Sequence, residues 1–101
     1  MTNPTLREIY NSKQESLQIK CKETRTKLIN YLEKEGFDKP FNTSFTYKLG
    51  SYAVIVYLNC VELRDYNKDD IKFCYYYSNT SFDQIVNEIN SFFSSYLGKM
   101  I

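Results

Sequence analysis

The side chains able to do chemistry are few, and their spacing does not converge on a reaction. Among 101 residues there is no histidine, which removes a common general base and a common metal ligand. A Ser, Cys or Thr nucleophile then lacks its usual activating partner. Cys21, Cys60 and Cys74 are odd in number and have no metal-ligand spacing, so they read as reduced thiols rather than a disulfide framework. Asp65, Asp69 and Asp70 crowd around Asn67 and Lys68. Asp and Asn make turns by bonding their own backbone, and this run lacks the spacing and the glycine of a calcium loop. Gly36, Gly50 and Gly98 all fall at predicted helix ends or a turn, which leaves no phosphate-cradling loop. The sequence thus points to no catalytic residue, metal ligand or cofactor, and the chain is not expected to be an enzyme.

The elements that position these residues are legible from periodicity. Thr5 and Glu8 are spaced as a capping box beside Pro4. After it Tyr10, Leu17, Thr24 and Tyr31 recur every seven residues, interleaved with Gln14, Cys21 and Leu28, which predicts one helix over residues 5–35 ending at Gly36-Phe37. Asn11-Ser12 is its weakest point. The period then becomes two: Phe45, Tyr47 and Leu49 alternate with Ser44, Thr46 and Lys48, a half-buried strand over 44–49. Gly50-Ser51 suits a tight type II′ hairpin. Residues 52–63 are apolar on both faces, with Ala53, Ile55, Tyr57 and Val61 on one and Val54, Val56, Leu58 and Cys60 on the other, which suits a central strand. A third strand over 71–78 puts Ile71, Phe73, Tyr75 and Tyr77 opposite Lys72, Cys74 and Tyr76. Ser81 and Gln84 form a second capping box for an amphipathic helix over 81–97. One α+β domain spanning 1–101 follows, two-layered in the order α-β-β-β-α. Its three-stranded antiparallel meander carries the long N-terminal helix and the C-terminal helix on one face.

That order resembles the double-stranded-RNA-binding domain, a resemblance that implies phosphate contacts from a Lys-rich start to the last helix. Here that helix begins Ser81-Phe82-Asp83-Gln84 and has no Lys before Lys99, so the likeness is one of topology. The basic residues left to a nucleic-acid reading are Lys20, Lys22, Arg25 and Lys27 on the first helix. The order is also similar to the core of restriction-endonuclease-like nucleases, with Asp70-Ile71-Lys72 standing like their acid-x-Lys element. Their companion acid has no counterpart in Ser51-Tyr52-Ala53-Val54, and Glu62 stands only at the far end of that strand.

What remains is surface. Net charge is +1, which gives no global pull toward nucleic acid or membrane. Ten Tyr and seven Phe without any Trp suit sheet faces and interfaces. Tyr76 is expected on the sheet face away from the helices, with Tyr52 or Tyr57 beside it. The first helix would span roughly 46 Å at 1.5 Å per residue and must overhang the sheet. Its apolar N-terminal stripe of Leu6, Ile9, Tyr10 and Leu17 is then left for a homodimer partner or a target protein. The expected function is non-catalytic binding of a macromolecule by a small stoichiometric inhibitor or adaptor, through Leu6, Tyr10, Leu17, Tyr52, Tyr57 and Tyr76. Small size and usage rich in Asn, Lys, Tyr, Ile and Ser fit a phage or mobile-element counter-defence protein of the anti-CRISPR-like kind. A polar start (Met1-Thr2-Asn3-Pro4) and the lack of a long apolar run predict a cytoplasmic protein that does not touch a membrane.

Overall fold

In the computed structural model, which describes residues 3–41 and 45–99, helix α1 (Leu6–Lys34) is followed by strands β1 (Thr46–Leu49), β2 (Tyr52–Val56), β3 (Cys60–Asp65) and β4 (Asp70–Tyr76) and by helix α2 (Phe82–Lys99). The strands form an antiparallel meander in the order β1-β2-β3-β4. The class, the two terminal helices and the meander agree with the sequence. Met1, Thr2 and Ser44, the first residue of the predicted first strand, lie outside the described residues.

One strand more than expected is present, because residues 52–63 are a hairpin and not a single strand. Val56 pairs with Val61, and the Tyr57 amide donates to the Cys60 carbonyl at 2.8 Å, leaving Leu58-Asn59 as a two-residue turn. Neither turn residue has a positive φ, so the turn needs no glycine to mark it. The reversal changes the faces. Val54, Val56, Val61 and Leu63 all point at the helices, and Cys60 joins Tyr57 on the opposite face.

Tyr77 locks this reversal from below. Its ring is fully buried, and its hydroxyl donates to the carbonyls of Tyr57 (2.9 Å) and Cys60 (2.7 Å) on either side of the turn. A further correction concerns Ile71. The register slips between Leu63 and Arg64, so Leu63 faces Phe73 while Arg64 faces Ile71, and Lys72 is the extra residue. This bulge turns Ile71 to the open face, where it is exposed, and keeps Phe73 and Tyr75 on the helix side.

The core is one cluster between the sheet and both helices. Cys21, Leu28 and Leu32 of α1 meet Ile85, Ile89 and Phe93 of α2 over Tyr47, Val54, Val56, Val61, Leu63 and Tyr77. Each helix starts on a realised capping box: Thr5 with Glu8, and Ser81 with Gln84. α1 closes at Gly36 (φ +80°), where the Gly36 and Phe37 amides donate back to Glu33 and Leu32 and Phe37 folds onto the core. Gly50 (φ +65°) makes the β1–β2 turn with Ser51 in ordinary backbone, the pattern of type II′.

Two buried tyrosines and the half-buried Cys60 thiol should make the fold sensitive to alkali. Burial, then the bond to Glu33, pushes the Tyr47 phenol up to about 12, and burial raises Tyr77 as well. Burial and the adjacent Cys74 thiol raise Cys60 to about 11. All three hold protons in the folded chain that the unfolded chain has released, so their stabilisation is complete below the unfolded values of 9.0 for Cys and 10.0 for Tyr and is lost above them. Urea midpoints should hold steady to pH 9 and fall as the pH rises toward 12. Tyr77→Phe should cost about 1 kcal/mol at neutral pH and flatten that fall. An unchanged slope in that variant would remove Tyr77 from the account.

Candidate interaction surface

The first helix is continuous through Asn11-Ser12 and outruns the sheet. Its only buried residues are Cys21, Thr24, Leu28 and Leu32, all in its C-terminal half. At about 1.5 Å per residue, the fifteen positions before Cys21 project roughly 22 Å past the core. The molecule is correspondingly long, 67 × 27 × 25 Å.

This overhang has an apolar side. The core-facing seam at Cys21, Thr24 and Leu28 continues toward the N-terminus at the same 3–4 spacing through Leu17, Gln14 and Tyr10. There the described residues leave it largely uncovered: Leu6 is 86% exposed, Tyr10 61% and Leu17 37%. Ile9 and Ile19 are exposed alongside. A single helical stretch of about fifteen residues standing alone in water is only marginally stable, and most helical stability comes from packing an apolar face. Extending this stripe into solvent leaves that packing undone.

Where the overhang leaves the sheet it forms one wall of a groove of about 550 Å³. Gln14, Leu17, Cys21, Lys22 and Arg25 line it from α1, and Leu58, Asn59, Tyr76 and Ser78 from the end of the sheet. The sequence-predicted residues Leu17 and Tyr76 therefore meet in one place, with Leu6 and Tyr10 farther out on the same helix. Leu58, the exposed tip of the β2–β3 turn, joins them. The sequence pattern places Leu58 within a strand, because no residue type marks the turn that presents it.

Tyr52 does not belong to this surface. It faces the helices, its ring edge-on to Phe92 at 4.7 Å and to Tyr96 at 4.8 Å between centroids. The expected Tyr-rich sheet face is correspondingly reduced to Tyr57 and Tyr76, both exposed. The same face carries exposed Ile71 and a charged group in which Arg64 of β3 bonds Glu62 at 2.8 Å and also pairs with Asp69, and Lys48 of β1 lies 4.5 Å above the Tyr66 ring.

Three of the four basic residues gather at the groove, and Lys27 stands apart. Arg25 donates to the Leu58 carbonyl at 2.8 Å and Lys20 to the Ser78 carbonyl at 3.4 Å, bracing α1 against the sheet end. Lys22 stands in the groove, and Lys27 sits 6.0 Å from the Phe82 ring on the α2 side.

The chemical groups are occupied structurally. Asp65 accepts from the Asn67 and Lys68 amides at 3.1 and 3.2 Å, and Asp70 pairs with Lys72 at 2.9 Å on the sheet edge. Cys60 and Cys74 lie on neighbouring strands as free thiols, and the raised Cys60 stays protonated at neutral pH, the unreactive form. Among the described residues no group of three or more His, Cys, Asp or Glu is placed to hold a metal ion. No helix of the described residues is long and apolar enough to cross a membrane. The chain matches no protein-family model, and no curated protein and no solved structure is significantly similar to it.

Proposed function

We propose that this protein is a non-catalytic binding module, a stoichiometric inhibitor or adaptor that engages another protein through the projecting half of α1 and the groove at its base. One observation carries the reading: a capped, unbroken helix continues its core seam past the sheet, with Leu6, Tyr10 and Leu17 left open to solvent. Large apolar side chains left exposed along one helix face of a small domain are a feature of interaction sites. Tyr10 and Tyr76 add the amphipathic rings that interfaces favour. The setting that fits a small chain with this residue usage is the cytoplasm of a host cell, where a phage or mobile-element protein acts by occupying a target.

Salt separates this from phosphate binding by the same helix. A complex held by four phosphate contacts from Lys20, Lys22, Arg25 and Lys27 would weaken roughly a hundredfold for a fourfold rise in salt. A partner held through Leu6, Tyr10 and Leu17 should change its dissociation constant by less than about threefold over that range. The measurement is retention of the partner captured from the native host, quantified across the salt series. Recovery of nucleic acid alone, released steeply by salt, would overturn the proposal.

A further inference from the structure

The groove at the base of the overhang is charged in one sense only. Lys22 and Arg25 line it, Lys20 reaches its rim at Ser78, and no carboxylate is among its lining residues. Its apolar surface comes from Leu17, Cys21, Leu58 and Tyr76. The helical wall has a defined grain. Tyr10, Gln14, Leu17 and Cys21 follow one another at intervals of four, three and four, the spacing that forms holes for the knobs of another helix.

A second copy of this chain is a poor fit to that wall. The positions flanking the seam are Lys13 and Lys20, immediately before Gln14 and Cys21. Antiparallel pairing that layers Gln14 against Leu17 of another copy would set Lys13 against Lys20 twice. Parallel pairing would set Lys20 against Arg25. Either arrangement brings like charges together beside a groove that is already basic, which disfavours it.

We propose that the groove and overhang receive an amphipathic helix of a partner protein whose apolar seam is flanked by Glu or Asp. This rests on the protein-binding reading and names the chemistry of the partner. Leu17, Leu58 and Tyr76 take the apolar anchors, and Lys13, Lys20 and Lys22 meet the flanking carboxylates. The recognition is a helix laid along an apolar groove, with charge selecting which helix enters.

The test uses two synthetic helical peptides of about three heptads with the same Leu seam, one flanked by Glu and one by Lys. Binding is read by fluorescence anisotropy, with amide shift mapping on the labelled protein. The Glu-flanked peptide should bind at least about tenfold more tightly than the Lys-flanked one and shift Leu17, Leu58 and Tyr76. Lys20→Glu with Lys22→Glu should reverse that preference, and Leu17→Asp should abolish both complexes in a protein whose circular dichroism is unchanged. Equal binding of the two peptides, no binding of the acidic one, or a preference that survives the double reversal overturns the acidic helix. If the salt series still shows a salt-tolerant protein partner, the function proposed above stands without it. A chain that is dimeric by light scattering and monomeric as Leu17→Asp assigns the groove to a second copy instead. Displacement of the acidic peptide by duplex RNA assigns it to nucleic acid.

Discussion

Replacing Phe93 with alanine is expected to destabilise the fold by about 3–5 kcal/mol, the usual cost of removing a buried aromatic ring. Phe93 is only 5% exposed and sits in the core where α1, α2 and the sheet meet. Its ring is edge-on to Phe37 at 5.2 Å, to Phe92 at 5.5 Å and to Tyr52 and Tyr96 at 6.5 and 6.3 Å. It thus joins α2 to the cap of α1 and to the β1–β2 turn. Tyr96, beside it, lies close against Gly50, where a methyl group would meet its hydroxyl at 2.6 Å. Tyr76→Ala removes a ring of similar size from the surface, 55% exposed, and should cost less than about 1 kcal/mol. Urea titrations of the two variants decide the matter. Equal losses would mean that the helices cover the other face of the sheet.

The sequence was most informative where one period ran long enough to be unambiguous. Seven-residue recurrence from Tyr10 to Tyr31 located α1 and, through its length, the overhang. The capping boxes at Thr5 and Ser81, the glycine turn at Gly50 and the acid-rich turn around Asp65 are all present where the residue types place them. Asn11-Ser12 is helical despite its composition, since a capped helix loses only tenths of a kcal/mol at such residues.

The failures share a cause. Leu58-Asn59 reverses the chain without glycine and between apolar neighbours, so residues 52–63 look like one central strand. The extra residue at Lys72 then shifts the alternation of β4, because a period of two cannot reveal a one-residue slip. Both errors turn side chains over. Val61 and Cys60 exchange faces, and Ile71 moves to the open side. Of the two tyrosines that the pattern offers as neighbours of Tyr76, Tyr57 is on the open face, while Tyr52 lies against Phe92 and Tyr96. The overhang was therefore readable from the sequence, whereas the groove was not, since half of its wall comes from the missed turn and the far end of β4.

The second large effect concerns binding, and it follows from the same geometry. Leu6 and Tyr10 are 86% and 61% exposed, so aspartate at both positions should leave folding nearly untouched. Surface changes of this kind usually lie within about 0.5 kcal/mol each. In a complex that buries the stripe, two apolar anchors would be replaced by two charges with no partner. Losses of about 2 kcal/mol or more at a single anchor are typical, so retention of the partner should fall at least about thirtyfold. The measurement is a single comparison of wild type with the Leu6→Asp, Tyr10→Asp double variant, reading the urea midpoint and the dissociation constant for the captured partner on the same preparations. Unchanged stability together with lost binding is the result expected of a helix extended to hold a target. A double variant that keeps its partner at full affinity, or that loses binding only in proportion to lost stability, would contradict it.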